Sequence, residues 1–174
     1  MPKGLKVFAL VLLVLIPSAL FAAENNRTMI TTTTPTIETN AYSDGDLIGT
    51  LQTVTNATSP TVFGGIIAQV VITDKDAEST NIDVVYFDAN PTGTTFTDNA
   101  PFDVADADLT KIICVVSVTT HKLFADNGIS EAQNVNCPFR TLGTTSIYAA
   151  FVAREAVTYT STSDLSLRTG IYQD

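Results

Sequence analysis

The 174-residue chain has no tryptophan, one histidine, two cysteines and two methionines. Each scarcity removes a class of chemistry. Any Ser–His–Asp or Cys–His array must use His121, in "VTTHKLFADNG", and no serine sits in a nucleophile elbow; "GTTSIY" reads as a turn leading into a strand. His121 itself reads as a surface residue in a loop. One histidine and two separated cysteines do not make a zinc site. Aspartates are plentiful enough for a two-carboxylate glycosidase, but without tryptophan the usual aromatic platform of such a cleft is missing. The expectation is a protein that is not an enzyme.

Basic residues are also scarce, 9 against 18 acidic ones, for a net charge of −9. No basic patch is interleaved with aromatics, so nucleic acid is not an expected partner. Only one long apolar run occurs, "VFALVLLVLI" from Val7 to Ile16. It is short for a bilayer span, follows Lys3 and Lys6, and is broken by Pro17 and Ser18 before the small residues of "ALFAAEN". Residues 1–22 therefore read as a secretory signal peptide, cleaved after Ala22 or Ala23. Cleavage leaves seven basic residues against eighteen acidic ones, a net charge of −11. The expected location is secreted or extracellular, with no membrane contact after processing. In that setting Cys114 and Cys137 are a candidate disulfide. Cys114 lies in "IICVV", where a small buried thiol is equally at home, and spacing does not decide between the two.

What remains is rich in Thr, Val and Ile at strand spacing. "LIGTLQTVTNA" alternates as a half-buried strand does, and "FGGIIAQVVIT" is apolar enough to be central in a sheet. "NIDVVYFDA", "DLTKIICVVSVT", "AQNVNCPFRTL", "SIYAAFVARE" and "DLSLRTGIYQ" follow, with Pro138 arguing for an edge or a bulge. Gly, Asn, Asp, Ser and Pro punctuate them. This is the pattern of an all-β fold, a single β-sandwich of jelly-roll type over residues 41–174, with one short helix after Asp103. Asp103 is the expected N-cap and Asp106 the first-turn acid. Residues 23–40 form a Thr-rich arm or linker. As an extended strand, with Thr28, Ile30, Thr32 and Ile37 as its candidate contact residues, the arm can add to its own sheet or to a neighbour's.

Five aspartates fall between Tyr86 and Val116. Asp88 and Asp98 sit in turn chemistry with Asn90, Pro91, Gly93, Asn99 and Pro101, and Asp108 reads as a solvated helix residue. Calcium needs six to eight converging oxygens. Asp88, Asp98, Asp44 and Asp46 are the candidates for such a site, with Asp74 and Asp76 a further Asp-x-Asp pair. Calcium is thus a possible ligand of the loops at one sandwich end, and no other cofactor is expected.

Three stretches carry a resemblance. "AYSDGDLIGTLQTVTNA" resembles A-Y-x-x-G-D-x-x-G followed by a strand ending Thr-Asn-Ala. "VVYFDANPTGTTFTDNAPFDVADADLTKIICVV" is similar to a central block of F-x-x-N-P-x-x-T-T-F-T-D-N and then D-A-D-L. The end of the chain, "LGTTSIYAAFVAREAVTYTSTSDLSLRTGIYQD", resembles a closing segment ending Gly-Ile-x-x-Asp. These are features of a family of small bacteriophage virion structural proteins, and the likeness covers most of residues 41–174. It implies a capsid-decoration or tail-associated protein that self-associates or joins a protein lattice such as a capsid. It carries over no catalytic residue. The leader is a departure from that family; it points to a phage-type module adapted for export or to a leader with a role in assembly. The expected function is therefore a non-enzymatic assembly subunit, of a virion or of an exported surface or filament structure. The alternative is a secreted binding module for carbohydrate or calcium.

Overall fold

A computed structural model describes residues 27–174. The expected signal peptide and the first residues of the Thr-rich segment lie outside the described residues. The fold is an all-β sandwich. Its strands are β1 (Arg27–Thr33), β2 (Leu47–Val54), β3 (Gly64–Asp74), β4 (Ile82–Phe87), β5 (Ile112–Val118), β6 (Thr120–Leu123), β7 (Gly128–Arg140), β8 (Ile147–Ala153) and β9 (Leu165–Gln173). One sheet has the order β1-β9-β3-β7-β6 and the other β2-β8-β4-β5.

The order follows from one long antiparallel hairpin rolled on itself. β1 pairs with β9, β2 with β8, β3 with β7 and β4 with β5, each antiparallel. Rolling brings β3 against β9 and β4 against β8, which completes the two sheets. Nested pairs divided between two sheets in this way are the jelly-roll arrangement. β6 is a short addition that lengthens the five-stranded sheet beside β7.

Side-chain alternation explains which strand lies where. In β9, Leu165, Leu167, Thr169, Ile171 and Gln173 are buried while Arg168 and Tyr172 are exposed, a strict period of two over one dry face. Between the sheets, Ile67, Val70, Ile72, Val84, Tyr86, Phe151, Leu167 and Ile171 form the main core. β8, and β4 from Val84 to Phe87, are apolar on both faces because a second core covers their outer side. Leu47, Val85, Phe87, Ala150 and Val152 are buried there beneath Phe96, Phe102 and Val104, which come from the connection at residues 88–111. Phe96 lies 6.3 Å from Phe87 and 5.7 Å from Phe102, ring centre to ring centre.

The short helix differs from its expectation. It is a 3-10 turn at Asp106–Lys111, preceded by Ala105 with no side-chain cap. Asp103 does not cap it. Phe102 and Val104 are drawn down onto the outer core, so the chain stays extended through Ala105 and turns only afterwards.

Candidate functional site

Two of the five aspartates of the connection, Asp108 and Asp98, have structural tasks that can be followed atom by atom. Asp108, expected on the surface, is 1% exposed. Its carboxylate accepts from the Gly93 amide at 2.8 Å, the Thr94 hydroxyl at 2.8 Å and Lys111 Nζ at 2.7 Å. Lys111 also reaches the Asn90 carbonyl at 2.9 Å. The Lys111 hydrogen bond foremost, against the cost of burial, holds the Asp108 carboxyl below the ordinary carboxylate range. Asp98 accepts from the Tyr42 hydroxyl at 2.8 Å and from the Gly49 amide at 2.6 Å. Tyr42 is itself buried and accepts from the Glu38 amide at 2.8 Å. Desolvation, with the Asp98 hydrogen bond second, pushes its phenol well above the ordinary tyrosine range.

The calcium candidates do not converge. Asp46 accepts from the Ser43 amide at 2.7 Å, and Asp44 stands 4.0 Å from Arg154. Asp98 is occupied as described. Asp88 is half-buried near Lys111, and burial raises its carboxyl above the usual range. Asp74 caps its own loop through the Asp76 and Glu78 amides, both at 2.8 Å. Asp76 accepts from the Thr160 hydroxyl. Among the described residues no three carboxylate, histidine or cysteine side chains are grouped to hold a metal ion.

Cys114 and Cys137 form a disulfide with their Cα atoms 6.5 Å apart. It joins β5 of one sheet to β7 of the other. His121 is not in a loop but in β6, half-buried, with Nδ1 2.7 Å from Ser130 Oγ and Nε2 3.1 Å from Asn81 Oδ1. A nucleophile–base–amide series of this kind is what sequence spacing missed, since the partners lie 9 and 40 residues away. Ser130 is 5% exposed and lies opposite the core residue Ile72 in the β3–β7 ladder. The contact ties β6, β7 and the start of β4 together.

The four sheet edges complete the picture. Exposed edges present unpaired amides and carbonyls, and proteins usually guard them. β2 is guarded twice. A bulge interrupts its ladder between Ile48 and Gln52, where Gly49 has φ +73°. The connection also pairs along it: Leu47 donates to the Ala100 carbonyl at 2.9 Å and accepts from the Asn99 amide at 2.9 Å. β6 is guarded by its length of 4 residues and by Lys122. Beyond it, the uncovered half of β7 is broken by a bulge opposite Ala68, with Asn134 at φ +56° and Asn136 at φ +51°, and then by Pro138.

Among the described residues β1 has no such device, and β5 has only a bulge near its start, at Ile113, past which its ladder with β4 is regular from Cys114 to Val118. β1 holds no charge after Arg27 and no proline, and its ladder with β9 runs unbroken from Arg27 to Thr33. Its residues Thr28, Ile30 and Thr32 are exposed, Ile30 at 55%. Ile37, expected among the arm contacts, is instead 1% exposed in the main core, with its amide donating to Thr162. β5 is uncharged from Ile112 to Val118, and Val115 is 51% exposed. Between β5 and β7 lies an open cleft of about 460 Å³ lined by Ile113, Val115, Ser117, Val135 and the disulfide.

No protein-family model and no curated protein matches this sequence.

Proposed function

We propose that this chain is a non-enzymatic assembly subunit, part of a phage-type virion or of an exported surface or filament structure. The observation that carries the reading is the pairing of a jelly-roll sandwich with two edge strands, β1 and β5, whose residues 28–33 and 114–118 carry neither charge nor bulge. A protein that worked alone would gain from guarding them, as β2 and β6 are guarded. The jelly roll is an architecture of viral capsid and lectin domains, an analogy of fold that agrees with the sequence resemblance to small virion proteins. On this reading the partner is a second copy or a protein lattice. The leader at residues 1–22 delivers the chain outside the cell or serves assembly.

Light scattering on the untagged chain, expressed with its leader, tests the reading. The intact mass should show residues 1–22 removed. The processed chain should grow from monomer to defined oligomer or polymer with concentration, equally in Ca²⁺ and in chelator. A monomer at every concentration that neither joins a particle nor polymerises would contradict it. Heat on titration with Ca²⁺ or a glycan would move the assignment to a secreted binding module, the reading that the lectin use of the same architecture favours second.

A further inference from the structure

We infer that the chain assembles head to tail, with β1 of one copy adding as a new strand to β5 of the next. The inference rests on the assembly reading above and specifies its interface. The argument begins with position. β1 ends the five-stranded sheet and β5 ends the four-stranded one. β5 lies beneath β7, as the Cys114–Cys137 bond requires, and β7 is on the opposite side of its sheet from β1. The two edges therefore occupy diagonally opposite corners of the sandwich. An interface between two different patches of one chain does not close on itself as a two-fold dimer does. It propagates, to a ring if the rotation closes and to a filament if it does not.

Strand chemistry selects the same pair. β1 is regular over its 7 residues and β5 is regular from Cys114 to Val118, so an unbroken ladder can form along that stretch. The chain carries a net charge of −9, and copies that meet through acidic surface repel one another. The stretch from Thr28 to Thr33 and the stretch from Ile112 to Val118 are free of charged side chains. Joining them continues the four-stranded sheet of one copy into the five-stranded sheet of the next, satisfies the facing backbone groups from Cys114 to Val118, and partly covers Ile30 and Val115. β1 keeps its own pairing to β9 throughout, so no strand has to leave its sheet. The connection after it stays anchored by Ile37 and Tyr42, both 1% exposed.

Two complementary variants test this. Ile30→Lys/Thr32→Lys charges the β1 edge and leaves β5 open. Val115→Lys/Ser117→Lys charges the β5 edge and leaves β1 open. All four side chains are exposed, so the fold should survive, which a thermal melt checks; the single variants Ile30→Lys and Val115→Lys replace any double variant that does not fold. In sedimentation velocity the unaltered protein should form species larger than a dimer. Each variant alone should remain monomeric. An equimolar mixture should double in mass and go no further. Leu142→Lys, at a side chain 91% exposed and off both edges, should assemble as the unaltered protein does. Variants that still assemble alone, or a mixture that stays monomeric while the unaltered protein assembles, would overturn the β1–β5 interface and leave the assembly reading standing. An unaltered protein that is monomeric throughout would overturn both.

Discussion

Single side chains decide how the two sheets and the connection hold together. The Tyr86 hydroxyl meets Thr169 Oγ1 at 2.9 Å across the main core, with both residues fully buried. Tyr86→Phe strands the Thr169 hydroxyl and should cost about 1–2 kcal/mol, whereas Tyr86→Phe with Thr169→Val removes both polar groups and should recover much of that loss. Urea unfolding at unchanged m-value measures it; additive losses in the double variant would refute the account. Asp108 gives a prediction in pH. Its folded carboxyl titrates below its unfolded value, so its contribution is complete above the unfolded pKa, about 3.9, and disappears as pH falls through the lower folded value. Asp108→Asn should therefore melt lower than the unaltered protein at neutral pH, with the two curves converging under acid. Asp88 has the opposite sign, because burial raises its carboxyl. Asp88→Asn should lose no stability at neutral pH. Calorimetric Tm against pH reads both, and parallel curves for the Asp108 pair would contradict the assignment.

The strands themselves were largely legible. β2 and β3 were visible as alternating and continuously apolar stretches, and Pro138 did mark a bulged, partly uncovered strand. The all-β sandwich followed from such segments and the turns between them. The connection at 88–111 was harder. Its turn residues were plain, but Phe96 and Phe102 were the signal that it also roofs a second core, and local patterning does not say which sheet face they meet. The same limit hid Asp108, whose partners at Gly93 and Thr94 lie 15 and 14 residues away. Ile37 lay in a Thr-rich run that reads as a linker, yet it packs in the main core. Spacing could not pair the cysteines, because β5 and β7 meet only when the hairpin rolls. Two predictions belong to this scale. Reducing the bond, which closes a loop with a separation of 23 residues, should cost about 3 kcal/mol, read as a lower urea midpoint in reductant. A Cβ at Gly49 would lie 2.8 Å from Pro35 Cβ and 3.0 Å from the Thr36 carbonyl, at a φ of +73°. Gly49→Ala should therefore cost about 1–3 kcal/mol in urea unfolding. Gly143→Ala shares the positive φ but meets open space, so it should cost less; equal losses would mean that close packing of the arm connection on β2 is not what fixes Gly49.

At the scale of the whole molecule, charge and edges act against each other. On the proposed assembly, an acidic surface would keep copies apart and the uncharged stretches at residues 28–33 and 112–118 would be where they meet. Screening shortens the reach of that repulsion to about 10 Å at 0.1 M salt. Association should therefore strengthen as salt rises from low concentration to about 0.1 M, the reverse of an interface held by opposite charges. Sedimentation in a salt series checks the sign. The most direct test of the central claim is amide hydrogen exchange, compared peptide by peptide between dilute and concentrated protein. The account predicts added protection on concentration within residues 27–33 and 112–118, and none at β2 or β6. Unchanged exchange at β1 and β5 in a sample that has assembled, or protection gained at the guarded edges instead, would contradict it.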